Sequence, residues 1–157
     1  MNNLIIEIPS ISDQEKINEL AVQVHDLHVK WRNDLFIKCD DMMPKERLED
    51  LINQKEILVA RLNDKVIGFI TFNIREKSNQ QSFRDRKQLN IDVICVDENL
   101  RGKGIGTKIL EHIKEFAKEN NCTDLYLTVN EENLDAIKLY EKFGFQLKNI
   151  AYSMKIK

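Results

Sequence analysis

Residues 96–110, VDENLRGKGIGTKIL, gather three glycines and three cations directly after an apolar run, Leu89–Val96, and ahead of a helical spacing. Two familiar phosphate loops fail here. A P-loop starting at Gly102 needs glycine where Thr107 stands. The dinucleotide pattern G-x-G-x-x-G also meets Thr107 from Gly102 and Gly104, and Ile109 from Gly104 and Gly106. The physics of an anion site survives both failures. A helix starting near Gly104 turns the free N–H groups of its first turn, with the positive end of its dipole, toward one point. Glycines at 102, 104 and 106 let a phosphate approach the backbone, and Arg101 and Lys103 add charge. A glycine turn that simply starts a helix stays open as the alternative.

The elements that must position this loop are legible from periodicity. Leu4–Ile8 reads as a strand, and Ser12 to Glu15 (S-D-Q-E) as a capping box before a helix with Ile17, Leu20, Ala21, Val24, Leu27 and Trp31 on one face. Pro44 fits the first turn of a second helix, with Leu48, Leu51 and Ile52 inward. Ile57–Leu62 and Val66–Ile74 form a hairpin around Asn63, Asp64 and Lys65, and a polar loop of net charge +3 over 75–87 precedes the strand Leu89–Val96. Ile105, Ile109, Leu110, Ile113, Phe116 and Ala117 make the next helical stripe, ended by Asn120 and Asn121. A strand at Leu125–Val129 follows. A helix capped by Asn133 and stopped by Gly144 comes next, with Leu134, Ile137, Tyr140 and Phe143 inward. Strands at about 145–148 and 150–156 close the order β-α-α-β-β-β-α-β-α-β-β. The strand–helix–strand at 89–129 is a right-handed crossover with parallel strands. The others pair mostly antiparallel, giving a mixed α+β sheet.

Bulk properties narrow the function classes. The 157 residues suit one domain, 1–157. A net charge of -2 supplies no global attraction to nucleic acid or an anionic membrane. The N-terminal MNNLIIEIPS lacks the features of a signal peptide, and no apolar run reaches the length of a membrane helix. Cys39, Cys95 and Cys122 are odd in number and far apart, so free thiols and a cytoplasmic place are expected. His25 and His28 occupy adjacent helix turns without a nearby third ligand, so no metal is expected.

The loop Arg101-Gly-Lys-Gly-Ile-Gly106 resembles the [QR]-x-x-G-x-[GA] motif of the GNAT acyl-CoA N-acetyltransferases, with the family's hydrophobic strand before it and amphipathic helix after it. A second stretch, LTVNEENLDAIKLYEKFGF (127–145), is similar to the family's strand, asparagine, helix and L-Y-x-x-x-G-F ending. Together they cover about 89–145. The resemblance implies a mixed, mostly antiparallel sheet with helices on both faces and a central parallel pair splayed to hold acetyl-CoA. It places the pyrophosphate on the amides of Gly102, Lys103, Gly104, Ile105, Gly106 and Thr107. It lays the pantetheine arm along Ile94, Cys95 and Val96 like an added strand, with a bulge near these residues freeing an N–H for the thioester oxygen. Asn133 is similar to the asparagine that contacts the cofactor arm, a role compatible with capping its helix.

The resemblance also implies roles in the transfer. Tyr140 aligns with the tyrosine that protonates the departing thiolate. Thr128 stands where some relatives carry a glutamate base and cannot serve as one. IDVICV resembles the strand of polyamine acetyltransferases, in which an acidic residue at the position of Asp92 deprotonates the amine through water. Asp92 shares a nominal strand face with Ile94 and Val96, turning it toward the cleft. A polar residue near a strand start is the plainer reading of Asp92. The acceptor side falls to WRNDLFIKCDDMMPKE, where Trp31 and Phe36 could floor an amine pocket and Asp34, Asp40 or Asp41 attract its cation; a solvated loop is the alternative. Cys95 lacks a histidine partner for a ping-pong route, so direct attack by the amine is the simpler reading. The expected function is acetylation of a primary amine on a small molecule, such as a polyamine or an amino-acid-like amine. Acetylation of a protein N-terminus or lysine, and a non-catalytic acyl-CoA sensor, stand as alternatives. The homodimers common among relatives make that state available here.

Overall fold

The computed structural model describes residues 3–157. In chain order the elements are β1 (Leu4–Glu7), α1 (Gln14–Trp31), α2 (Lys45–Gln54), β2 (Ile57–Leu62), β3 (Lys65–Lys77), β4 (Arg86–Val96), α3 (Ile105–Glu119), β5 (Asp124–Leu127) and α4 (Leu134–Phe143). The strands form one sheet in the order β1-β2-β3-β4-β5. Pairing is antiparallel from β1 to β4, and β4 with β5 is parallel.

Two cores lie on opposite faces of this sheet. Ile17, Leu20 and Ala21 of α1 and Leu48 of α2 pack with Val59, Phe69 and Cys95 on one face. Ile105, Ile109, Leu110 and Ile113 of α3 and Tyr140 of α4 pack with Ile70, Phe72, Leu89 and Ile91 on the other. Strand β3 is covered on both sides, so its sequence is apolar without alternation. The β2–β3 turn places Asn63 and Asp64 at φ 48° and 65°. Two consecutive left-handed residues match the right-handed strand twist, and Asn and Asp tolerate that region.

Three local expectations change. The polar tract 75–87 is strand at both ends: Arg75 pairs with Gln88, Glu76 with Lys87 and Lys77 with Arg86, which shortens the loop to 78–85. Both faces of these strand ends are hydrated, so apolar alternation is not required there. The reciprocal cap before α1 sits at Ser10 and Asp13 rather than at Ser12 and Glu15. The Ser10 N–H donates to Asp13 Oδ2 at 3.0 Å across a single 3₁₀ turn. Asp13 is claimed for that place by Arg61 of β2, which donates to both its oxygens at 2.8 and 3.2 Å and holds its carboxyl below the usual range.

The third change is larger. The expected strands at 145–148 and 150–156 are absent among the described residues; the segment carries no regular secondary structure and no ladder to its own sheet. Leu147, Ile150, Tyr152, Met154 and Ile156 are all largely solvent-exposed, Tyr152 at 92%. The alternation that suggested strands is real, yet a strand also needs an edge to pair with, and the segment leaves the sheet without meeting one.

Candidate active site

Strand β4 organises the site. Its first half pairs with β5, from Gln88↔Asp124 to Ile91↔Leu127, and there the pairing stops. From Asp92 to Val96 the β5-facing side of β4 has no strand beside it, so the two parallel strands open into a wedge. On the other side of β4, the register with β3 slips between Thr71 and Phe72: Phe72 faces Ile91 and Thr71 faces Val93, leaving Asp92 as the extra residue of a bulge. The bulge reverses the strand's parity. Leu89 and Ile91 face the α3/α4 core before it, whereas Ile94 and Val96 face that core after it and Cys95 turns to α1.

This corrects the expected face of Asp92. It does not share the side of Ile94 and Val96; it points to the α1/α2 face, where its Oδ2 accepts from Asn73 Nδ2 at 3.0 Å. Asn73 Oδ1 in turn accepts from Arg75 Nε at 3.2 Å and Asn90 Nδ2 at 3.3 Å. Asp92 still reaches the wedge, because it lines a cleft of ≈ 200 Å³ with Arg75, Asn90, Ile91, Tyr126, Leu127 and Thr128 at the point of splay. The bulge lies at Asp92, two to four residues before the expected stretch. Beside it, Thr71 carries a buried hydroxyl with no hydrogen-bond partner.

After Val96, Asp97 fixes the turn. Its N–H donates to Ile67 O at 2.8 Å, while its carboxylate accepts from Asn99 N at 3.0 Å and Lys16 Nζ at 3.3 Å, bonds that hold its carboxyl below the usual range. Gly102 and Gly104 then adopt left-handed φ of 76° and 80°, and a Cβ on either would meet nothing within 4 Å. Gly104 caps α3. The N–H groups of Gly102, Lys103, Gly104, Ile105, Gly106 and Thr107 donate no hydrogen bond among the described residues; the first intrahelical bond is Lys108 N to Gly104 O at 3.1 Å. Six orphan donors, no acidic side chain in the first helical turn, and exposed Arg101 and Lys103 make a surface that favours an anion. Arg101 is anchored by its Nε to Val96 O at 3.3 Å.

Gly106 serves a different need from its neighbours. A Cβ there would come within 3.0 Å of Leu139 Cδ2, so its absence lets α4 lie against the first turn of α3. Tyr140, the next residue, is buried in the same core as Ile105 and Ile109 of α3. Tyr140 stacks edge-on with Phe145 at 5.7 Å, and burial alone pushes its phenol up to about 12. Asn133 caps α4 through Oδ1, which accepts from Ala136 N at 3.3 Å. Cys95 is buried, its thiol points at Leu20 O at 3.3 Å, and burial drives it up to about 12. Only the backbone of Cys95 can face the wedge, and its sulfur is no nucleophile.

The 31–44 segment is fastened to α1. Asn18 donates to Asp40 O at 2.9 Å and accepts from the N–H groups of Met42 and Met43 at 2.8 Å. Phe36 stacks on His28 at 5.8 Å and meets His25 edge-on, while Asp34 is held by Arg32 at 2.9 and 3.0 Å. Phe36 and Asp34 are thus engaged within the segment; Asp40 and Asp41 make no ion pair among the described residues. Asn18, Asn73 and Gly68 carried no signal in the sequence. The last is required because a Cβ there would stand 2.7 Å from Cys95 O. Each acts across strands or between elements, which spacing along the chain does not reveal.

Comparison with known proteins agrees with this architecture. The family model described as the acetyltransferase (GNAT) family matches residues 22–145. A spermine/spermidine N(1)-acetyltransferase of Bacillus subtilis is 34% identical over 82 residues, 52% of this chain and 53% of that protein. An L-amino acid N-acetyltransferase of Escherichia coli is 27% identical across 94% of this chain and 86% of its own length. The chain thus spans about half the length of the polyamine relative it matches. A mutant of the BH1408 protein from Bacillus halodurans superposes with a TM-score of 0.91 at 25% identity, covering 98% of this chain and 99% of that one. An aminoglycoside N-acetyltransferase solved with CoA has the same fold, with a TM-score of 0.74 over 99% of this chain and 96% of that one, at 16% identity. The splayed parallel pair, the glycine turn and the family model over most of its length agree: this chain belongs to the GNAT acetyltransferase family.

Proposed function

We propose that residues 1–157 form one acyl-CoA-dependent N-acetyltransferase domain that acetylates a primary amine on a small molecule by direct attack. The observation that carries this reading is the row of six unpartnered amides, Gly102 to Thr107, at the open end of the β4–β5 wedge. Acetyl-CoA, as co-substrate, supplies the acetyl thioester. The amides of Gly102–Thr107, with Arg101 and Lys103, hold its pyrophosphate. The free edge of Ile94, Cys95 and Val96 aligns its pantetheine arm, and Asn133 stands at the α4 cap beside that arm. The transfer asks for no metal.

Proton handling falls to two residues. Asp92, on the opposite face from the α3/α4 core, takes the ammonium proton directly or through water, leaving the amine lone pair to attack the carbonyl carbon. Tyr140 keeps its proton throughout the physiological range, since its phenol sits at about 12, so it is an acid and not a base. Delivery to a thiolate whose acid has a pKa of about 8.5 is uphill by roughly 5 kcal/mol. The phenol therefore stabilises the departing sulfur by hydrogen bonding, and the proton the thiolate finally takes is balanced by the second proton that the attacking nitrogen sheds as the amide forms.

The acceptor reading rests on the polar chain across β3 and β4. Asp92 presents a carboxylate to the amine. Arg75, exposed and anchored only through Nε, keeps its terminal nitrogens unpaired among the described residues. A cation beside the amine site repels a polyamine's remaining charges and attracts a carboxylate, so an amino-acid-like amine is favoured over spermidine. The fastened 31–44 segment supports a small acceptor over a peptide. The three free thiols support a cytoplasmic place, and among the described residues no helix is long and apolar enough to cross a membrane. The test is CoA-thiol release from acetyl-CoA against a panel of amino acids, polyamines, aminoglycosides and peptides. Amino acids should lead. Acetyl-CoA binding with no release for any amine refutes catalysis and leaves an acyl-CoA sensor.

A further inference from the structure

The polar chain across β3 and β4 holds two opposite charges at a fixed distance. Asn73 and Arg75 lie two residues apart on one face of β3, and the bulge sets Asp92 on that face beside them. Arg75 and Asp92 both line the ≈ 200 Å³ cleft at the point of splay. Among the described residues they make no ion pair with each other. Each is bonded instead to the amide of Asn73 between them. Its Nδ2 donates to Asp92 Oδ2 at 3.0 Å, and its Oδ1 accepts from Arg75 Nε at 3.2 Å.

The amide has one usable orientation. Its Oδ1 also accepts from Asn90 Nδ2 at 3.3 Å, so a flip would set the NH2 group against two donors. Asn90 faces Asn73 directly in the β3–β4 register, so the brace belongs to the sheet. The outward atoms stay free: Asp92 Oδ1 and the terminal nitrogens of Arg75 have no partner among the described residues. Without the amide, a guanidinium and a carboxylate this near would close into a direct pair, and neither would face a ligand.

An α-amino acid repeats this arrangement with the charges reversed. From Asp92 to Arg75 through Asn73 the path is a hydrogen bond, the width of one amide, and a second hydrogen bond. An α-ammonium on Asp92 and its carboxylate on Arg75 make a path of the same kind, with charge-assisted bonds of about 2.8 Å at each end. Every further carbon between amine and carboxylate lengthens it by roughly 1 Å or more. That exceeds the tolerance of the bonds, or makes the acceptor coil to fit at an entropic cost.

We infer that Asn73 is a positioning residue that fixes the distance between Arg75 and Asp92, so that the site selects an α-amino acid over amines whose carboxylate lies further away or is missing. The inference rests on the acetylation reading above, since it names the acceptor of that same site.

The test compares α-, β- and γ-aminobutyrate, isomers with the same charges that differ in the spacing of amine and carboxylate. Two readouts are taken on the full chain: CoA-thiol release from acetyl-CoA, and calorimetric binding of each isomer to the CoA-loaded protein. The α isomer should exceed the γ isomer by about 10–100-fold in kcat/KM and in affinity, the effect of one hydrogen bond to a charged group. Asn73→Leu should erase that ratio in both readouts while acetyl-CoA affinity holds. A merely structural role would lower all three isomers together and leave the ratio. Arg75 is exposed, so Arg75→Gln should fold as the wild type does and lose the ratio as well. Turnover at equal rates for the three isomers, or a ratio that survives both variants, would overturn the inference and leave acetylation standing. Neither binding nor release with any isomer would overturn it too. A ratio in binding with no thiol release would refute acetylation and leave the role of Asn73 standing.

Discussion

Replacing Gly104 separates what the glycine turn does for itself from what it does for a ligand. Gly104 sits at φ 80°, and a Cβ there meets nothing within 4 Å. The cost of a side chain in the free protein is therefore conformational and not a clash. An L-residue in that region costs about 1–2 kcal/mol, with Asn paying less and a β-branched residue most. For a chain of this size, each kcal/mol lowers Tm by roughly 2–4 °C. If a valine introduced here leaves the left-handed region to relieve this strain, the six amides lose their shared aim. The fraction of competent loops then falls about 5–30-fold, and the apparent Kd for acetyl-CoA rises by the same factor. The valine side chain also projects into the open space a phosphate would use, which adds to the loss. Calorimetric titration with acetyl-CoA, alongside thermal melts, reads both effects for Gly104→Asn, Gly104→Ala and Gly104→Val. Affinity should fall in that order, and more steeply than stability. A Gly104→Val protein with wild-type Kd and a lowered Tm would show that the turn only starts a helix.

Other expectations are independent of that turn. Tyr140→Phe should lower kcat by about 100-fold or more while acetyl-CoA affinity holds; because the phenol sits at about 12, the wild-type rate should not fall between about pH 9 and 10.5, where an unperturbed tyrosine would lose its proton. The raised phenol also makes folding weaken as pH climbs above about 10, the unfolded value, and Tyr140→Phe should remove that slope in pH-dependent melts. Thr71→Val should stabilise the fold by about 1 kcal/mol or more, seen as a higher Tm, because it removes a buried hydroxyl without a partner; a lower Tm would mean the hydroxyl is satisfied in solution. Under native conditions at pH 8, a thiol reagent should leave Cys95 untouched, and Cys95→Ser should keep turnover, since a covalent acetyl-cysteine is not on the route.

Much of the scaffold was legible because it follows local rules. The stripe from Ile105 to Ala117 became α3, Asn133 and Gly144 capped α4, and Asn63 with Asp64 made the turn between β2 and β3. The glycine turn was legible for the same reason, being contiguous in the chain. What escaped was relational. The bulge at Asp92 depends on how β4 registers with β3, and it turned that carboxylate to the face opposite the one simple alternation assigns. Asn73, which holds Asp92, and Gly68, which makes room for Cys95 O, act only across a strand pair. The strands expected at 145–148 and 150–156 did not form, because periodicity along the chain cannot supply the edge a strand must pair with.

The central claim is that the amides of residues 102–107 grip a coenzyme A diphosphate. The most direct measurement is a nitrogen-15 amide spectrum of the labelled protein during titration with coenzyme A. The account predicts large, saturable shifts at Gly102–Thr107, together with shifts at Ile94–Val96 along the free edge of β4. Saturation that moves other amides and leaves these unchanged, or no shift at millimolar coenzyme A, would contradict it.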